Sequence, residues 1–195
     1  MSIFVTADHH FGHANIIRFV NRPFANVDEM DQGMIDAWNA VVGWDDEVYH
    51  LGDFTLGDSL SPWIHALQFG TLKIVPGGHD WRWLKKADHN DLWNRNIEVI
   101  SPLHSLELPS GEKYPKIVVL CHYPMAASHW DRAHYGSFHF YGHTHGRFYQ
   151  EGKALDVGVD NIYRLYGEFR PILIDDALGY LADGGNDARE TMMRY

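Results

Sequence analysis

The sequence predicts a layered α/β domain, built on one mixed sheet or on a pair of packed sheets. Three observations carry that expectation. Short β-rich runs first alternate with helix-like segments and then follow one another with fewer helices between them. The chain has 195 residues, 45% of them hydrophobic, enough for one domain that buries roughly 70% of its unfolded surface. No internal repeat, low-complexity tract or long linker divides it, so a single domain is expected over 1–183, with a polar tail over 184–195.

The elements read in order as follows. IFVTA (3–7) is a buried strand opening the domain. Residues 26–42 place Met30, Met34, Ile35, Trp38, Val41 and Val42 at helical spacing, with Asp28 as the expected N-cap and Gly43 as the stop. That apolar face is expected to cover the sheet. EVYHL (47–51) is a strand, and SPWIHALQF (61–69) a helix with Ser61 as cap and Pro62 in its first turn. TLKIV (71–75) is a strand, and a helix-like patch covers 81–88. IEVI (97–100), HSLEL (104–108), KIVVLC (116–121) and SFHFY (137–141) are strands. The last third, with KALDVGVD (153–160) and RPILID (170–175), also reads as β-rich.

Composition narrows the function. A formal net charge of −10 argues against general nucleic-acid binding, which needs a basic surface to release counterions. It leaves room for a phosphate substrate, because bound cations reverse the local sign. No apolar run approaches the ~20 residues that span a bilayer, and MSIFVTADHH lacks a basic leader segment. The one cysteine, Cys121, rules out an internal disulfide framework and fits a cytoplasmic location. Placed inside a strand, it is expected to pack rather than react. The 14 histidines are the compositional excess that needs a chemical explanation.

Five strand-like runs lead into residues that ligate metals. IFVTA leads to Asp8-His9-His10, EVYHL to Gly52-Asp53, TLKIV to Gly77-Gly78-His79-Asp80, KIVVLC to His122, and SFHFY to Gly142-His143-Thr144-His145. Ligands in open α/β sheets gather beyond the carboxyl ends of the strands. Strands lying side by side would therefore gather these carboxylates and imidazoles in one crevice. In Asp8-x-His10 and His143-x-His145, alternation along an extended chain would aim both side chains the same way and turn His9 away. Imidazole plus carboxylate without thiolate suits Mn²⁺, Fe, Zn²⁺, Co²⁺ or Ni²⁺.

These motifs, in this order over roughly residues 3–160, resemble the calcineurin-like metallophosphoesterases, in a compact bacterial or viral form. The resemblance implies two packed mixed β-sheets flanked by helices, with a dinuclear metal centre at one edge, Mn²⁺ being the expected ion. It implies that Asp8, His10 and His145 hold one metal, that Asp53 bridges, and that His122 and His143 hold the second. His79 would act at the leaving group, with Asp80 fixing its tautomer. The activity implied is hydrolysis of small phosphodiesters such as cyclic nucleotides, by a metal-activated hydroxide attacking phosphorus in line. Phosphomonoesters and dinucleoside polyphosphates are alternative substrates, and a catalytically degenerate scaffold is an alternative of another class.

One position departs from the pattern. The family carries Asn where this chain has Gly78, so the second metal is left with Asp53, His122 and His143 from the protein, and weaker binding there is expected. Substrate contacts are expected from His13 and from the aromatic loop 122–136, through Trp130 and Arg132, although packing of that loop on itself explains its composition equally well. Asn15 is as easily a helix cap as a contact. Trp81 and Trp83 are expected to pack.

Overall fold

A computed structural model describes residues 1–108, 115–127, 129–148, 150 and 152–185, and only the backbone of residues 89–91. Five strands form the first sheet: β1 (Ile3–Thr6), β2 (Glu47–His50), β3 (Thr71–Ile74), β4 (Ile97–Val99) and β9 (Ile172–Leu173), in the order β4-β3-β2-β1-β9. The first four run parallel in continuous register, Ile3 beside Glu47 and Glu47 beside Thr71, and β9 pairs antiparallel to β1. The second sheet joins β5 (Leu103–Glu107), β6 (Ile117–Cys121), β7 (Phe138–Tyr141) and β8 (Ala154–Asp156) in sequence order. Its β5–β6 pair is antiparallel and the rest parallel. The fold is thus α/β with two mixed sheets. Of the expected polar tail, residues 186–195 lie outside the described residues.

The period of two along each strand divides the core into layers. Val5, Tyr49, Leu51 and Val75 face Val118, Leu120, Phe138, Phe140 and Leu155 between the sheets. Phe4, Val48, Leu72 and Ile74 point the other way, into a helical layer. That layer comprises α1 (Ala14–Val20), α2 (Val27–Asn39), α3 (Ser61–Ile64), α4 (Trp81–Leu84) and α5 (His89–Asn94). Met30, Met34 and Trp38 of α2 are buried in it. The outer face of the second sheet carries Val119, Tyr141 and Ala154, and is covered by Trp130 and Ala133 of the loop after β6.

Several boundaries depart from expectation, each for a local reason. The cap of α2 is Asn26, not Asp28: its Oδ1 accepts from Glu29 N (2.9 Å), and Glu29 Oε2 reaches back to accept from Ala25 N (3.0 Å). This reciprocal arrangement is a capping box one step longer than usual, and it outweighs the acidic residue two positions on. The helix expected over 61–69 is a single turn, with Leu60 rather than Ser61 at its cap. The last third contains two helices, α6 (Val159–Tyr166) and α7 (Ile174–Ala182), where a β-rich segment was expected. VDNIYRLY opens on a β-branched residue yet buries Val159 and Ile162 at helical spacing. RPILID contributes two strand residues, and then Asp175 and Asp176 enter the first turn of α7, where acidic groups favour a helix start. Its Ile174, Ala177, Leu178 and Leu181 pack into the layer between the sheets.

Trp38 anchors the helical layer: it is fully buried, and its Nε1 donates to Gln68 O (2.7 Å). Trp38→Ala is expected to lower unfolding free energy by about 3–5 kcal/mol, read from the midpoint of urea denaturation.

Candidate metal centre

The carboxyl ends of β1, β2, β3, β6 and β7 meet at one edge of the sandwich, and the local backbone there is unusual. Among the described residues eight non-glycine residues have left-handed φ angles, and five of them are Asp8 (60°), His10 (53°), Asp53 (55°), His143 (70°) and His145 (50°). Each such residue costs on the order of 1 kcal/mol against an ordinary conformation. The expected extended alternation of Asp8-x-His10 and His143-x-His145 is therefore corrected: left-handed turns, not strand pleats, aim these side chains. Hydrogen bonds hold the first turn in place, from Asp8 N to Gly52 O (3.0 Å), His10 N to Asp53 O (3.1 Å) and Phe11 N to Phe54 O (2.9 Å). His9 points into the helical layer instead, stacked on Phe11 and with Nδ1 2.9 Å from His50 Nε2. Burial pushes both imidazoles of that pair far down, His50 to about 3.

Among the described residues three groups of side chains are close enough to hold a metal ion: Asp8–His10–His145, Asp53–His122–His143, and His10–Asp53–His79. Asp53 is the hub. Its Oδ1 accepts from His79 N (2.8 Å), while Oδ2 lies 3.5 Å from His122 Nε2, 3.6 Å from His10 Nε2 and 3.8 Å from His79 Nε2. The donor set fits a divalent cation by a direct observation: Asp8 Oδ1, His10 Nε2 and His122 Nε2 are buried without a hydrogen-bond partner. Such atoms are costly unless something binds them. The tautomers suit ligation as well. His122 Nδ1 donates to Leu51 O (2.8 Å) and His145 Nδ1 to Asp160 Oδ2 (2.7 Å), so both present Nε2.

Behind these ligands stand residues that the sequence motifs do not mark. Arg22 is buried and paired with both oxygens of Asp160 at 2.9 Å, and donates to the carbonyls of Asp8 (2.6 Å) and His9 (2.8 Å). Asp156 accepts from Thr144 Oγ1, Gly146 N and Gly158 N, bracing the His143–His145 turn. The only sequence signal for Asp156 and Asp160 is their place in a buried β-like run, where a carboxylate must have partners.

Asp80 does not have the role expected of it. Its four partners are Asp53 N (2.7 Å), Phe54 N (3.0 Å), Gly77 N (2.8 Å) and Trp83 Nε1 (2.8 Å). Two donors on each oxygen make it a clamp between the β2 and β3 loops. Among the described residues it makes no hydrogen bond to the His79 ring, which is about half exposed at 49%. The same clamp explains Gly77, where a Cβ would stand 2.4 Å from Asp53 Oδ1. Gly78 is different: its φ is not left-handed, and a Cβ there would meet only the Tyr123 hydroxyl, at 3.1 Å.

The expected substrate contacts divide. His13 lies beside the centre, its ring 5.7 Å from that of His10. Trp130 does not reach it: the indole is packed in the core, donating from Nε1 to Ser137 O (3.1 Å). Arg132 O accepts from Ser137 N, which precedes β7, whereas His143 follows β7, roughly 13 Å of strand away. Around Trp130 and Ala133 the loop packs on the sheet rather than walling the site. Trp83 is buried, Trp81 half exposed, and Arg82 pairs with Asp58. Cys121 is partly buried, and burial raises its thiol pKa.

Electrostatics favour a cation. Burial, and then the carboxylates of Asp156, Asp53 and Asp160, push Asp8 well above the usual carboxylate range. Burial likewise raises Asp156. Burial alone would raise Asp160 too, but Arg22 and His145 outweigh it and hold its carboxyl below the ordinary value. His10 and His143 are pushed down, by burial first and then by neighbouring imidazoles, so both are neutral and ready to ligate at pH 7.

No protein-family model matches the chain. It is 42% identical to an uncharacterized protein of Methanocaldococcus jannaschii over 81 residues, which is 40% of this chain and 46% of that protein. It is 29% identical to the Gene 66 protein of Mycobacterium phage L5, across 82% of this chain and 87% of the phage protein. The Gene 66 protein of Mycobacterium phage D29 is 26% identical over similar shares, 82% and 88%. A crystal structure of a protein of unknown function from Aquifex aeolicus superposes with a TM-score of 0.61 at 17% identity, covering 90% of this chain and 97% of that one. The likeness shows that the fold recurs.

Two expectations follow. Asp160→Ala leaves Arg22 buried and unpaired, so stability falls by about 3–5 kcal/mol. It also frees His145, so metal affinity at the Asp8–His10–His145 group drops roughly 10–100-fold while the Asp53–His122–His143 group is spared; a two-step metal titration reads both. Second, Asp8 is the group from which a cation must displace a proton. Between the ordinary carboxylate pKa and the raised one of Asp8, Mn²⁺ uptake is expected to release a proton and to weaken as pH falls. Calorimetry in two buffers of different ionisation heat counts that proton.

Proposed function

We propose that this chain is a dinuclear-metal-dependent phosphohydrolase of the calcineurin-like metallophosphoesterase type, acting on small phosphodiesters such as cyclic nucleotides, with Mn²⁺ as the expected ion. The observation that supports it most is the pair of ligand groups, Asp8–His10–His145 and Asp53–His122–His143, linked by the 3.6 Å approach of Asp53 Oδ2 to His10 Nε2, with a half-exposed imidazole, His79, beside Asp53. When bound, two divalent cations would neutralise the phosphoryl oxygens and acidify a water molecule. The remaining work falls to the chain. Asp53 holds His79 at its backbone N–H and places the ring 3.8 Å from Oδ2. His79, unlike the buried His10 and His122, faces solvent, where it can hand a proton to the leaving oxygen. Asp80 keeps the two loops that carry Asp53 and His79 in one piece.

A diester is favoured over a monoester because the arginines at the centre are engaged by the protein. Arg22 is held by Asp160, Arg147 donates to Phe19 O, and Arg164 donates to Gly146 O. A dianionic terminal phosphate is usually met by a bidentate guanidinium. Arg22 is buried with its donors occupied and cannot provide one, and Arg147 and Arg164 are each tied to a backbone carbonyl.

The test is hydrolysis of bis- and mono-nitrophenyl phosphate and of 2′,3′- and 3′,5′-cyclic nucleotides with Mn²⁺ by wild type and His79→Ala. Diester turnover is expected, with kcat lower by roughly 10²–10⁴ in the variant at unchanged metal content. A clear monoester preference refutes the substrate class. Metal uptake with no turnover of any substrate refutes the enzyme and leaves a metal-binding scaffold.

A further inference from the structure

Gly78 is the residue at the centre whose identity neither backbone nor close packing dictates. Its φ lies outside the left-handed region, and the Cβ it lacks would contact one atom, the hydroxyl of Tyr123 at 3.1 Å. What the glycine leaves is room for that hydroxyl.

Tyr123 directly follows the candidate ligand His122 at the carboxyl end of β6. Its ring stands edge-on to His122 at 4.7 Å and to His143 at 4.9 Å, so it packs against two of the three members of the Asp53–His122–His143 group. The ring is fixed by these contacts while the residue stays 47% exposed. The hydroxyl, among the described residues, has no hydrogen-bond partner. A phenol pinned beside a cation site, with its O–H free and facing the loop that carries His79, is a donor waiting for an acceptor. At neutral pH a phenol is protonated and donates. An acceptor near divalent cations and next to a proton-donating imidazole is a non-bridging phosphoryl oxygen.

We infer that Tyr123 is a substrate-binding residue whose hydroxyl donates a hydrogen bond to a non-bridging oxygen of the phosphoester held at the Asp53–His122–His143 side, and that Gly78 is small in order to admit it. This rests on the phosphohydrolase reading. It assigns to a side chain just after β6 a contact that Gly78, with no side chain, cannot make. Tyr123 acts on the substrate and not on the metal, and that separates the predictions for the two.

The experiment uses Mn²⁺-loaded wild type, Tyr123→Phe, Gly78→Ala and the double variant, with inorganic phosphate as probe. Calorimetry gives phosphate affinity and, separately, Mn²⁺ stoichiometry and affinity. Tyr123→Phe is expected to weaken phosphate binding about 10–100-fold, the usual effect of removing a donor to a charged acceptor, and to leave Mn²⁺ binding unchanged. Gly78→Ala is expected to weaken phosphate binding when residue 123 is Tyr and to change it little in the Tyr123→Phe background, because the added methyl then has no hydroxyl to displace. Wild-type phosphate affinity in Tyr123→Phe overturns the inference, as does a loss of Mn²⁺ affinity in that variant, which would make Tyr123 a metal ligand. Wild type that takes up Mn²⁺ but binds no phosphate and hydrolyses no phosphoester overturns the phosphohydrolase reading and this inference with it.

Discussion

The guanidinium of Arg22 is the interaction on which the rest of the centre depends. It follows Asn21, the left-handed cap of α1, and is buried beneath the first ligand turn. Its five N–H groups reach the carboxylate of Asp160 on α6, the carbonyls of Asp8 and His9 after β1, and the sulfurs of Met30 and Met34 on α2. Through Asp160 it also sets the ring of His145. One planar fork thus ties the helical layer, the end of β1 and the start of α6 to a single point. A lysine, with three donors on a point charge, could not replace it. A buried ion pair of this kind adds little stability over an apolar substitute, but breaking it leaves a naked charge. Its value is geometric: it keeps Asp8 and His10 in a conformation their own backbone resists.

That resistance is the second constraint. Five candidate ligands with left-handed backbones are a concentration of strain that only neighbouring structure can hold. The clamp by Asp80 does for Asp53 what Arg22 does for Asp8, and Asp156 does the same for the turn after β7. Apart from the loop of His122, whose ring is held by the carbonyl of Leu51, each ligand loop is held by a carboxylate or guanidinium that is not itself a ligand. The same arrangement crowds Asp8, Asp53, Asp156 and Asp160 into one buried volume, where the Arg22 guanidinium pairs with Asp160. Mutual repulsion and desolvation then work against folding unless positive charge is supplied. Divalent cations at the unpartnered atoms of Asp8 and His10, and of His122, would relieve both costs at once and so would link metal binding to folding stability.

Much of this was legible in the sequence, and the parts that were not share a cause. Apolar runs located every strand of the first sheet's parallel core to within a residue or two, and the residues that follow these strands and the second sheet's β6 and β7 include all six candidate ligands. Side chains that serve backbone are harder to see. Asp80 sits beside His79 and reads as its partner, yet its contacts are with amides of a loop 26 and 27 residues away in sequence. Trp130 and Arg132 have the composition of a substrate wall, but the second sheet has an outer face to bury, and among the described residues between β6 and β7 there is no α-helix to cover it, only a 3₁₀ turn at Ala133–Tyr135. The helices α6 and α7 start on β-branched residues next to short strands, where periodicity of two and of 3.6 cannot be separated over a few positions. Arg22 and Asp160 are 138 positions apart, and nothing local marks either as half of a pair.

The centre is also asymmetric, and the asymmetry sets the direction of any chemistry. Asp8, His10 and His122 are buried at its floor, while His79, Tyr123 and His143 are exposed along its rim. Floor residues are locked by neighbours whose donors and acceptors are already matched. Rim residues are held from one side only, by ring contacts or a backbone hydrogen bond, and keep polar atoms facing solvent. A ligand must therefore arrive over the rim and meet the imidazole of His79 and the phenol of Tyr123 before it reaches the carboxylate of Asp53. Fixed charge lies beneath and adjustable hydrogen-bonding groups lie above. On the proposed reading, this arrangement would orient a phosphoester with its leaving oxygen toward His79 and its non-bridging oxygens toward Tyr123 and the floor.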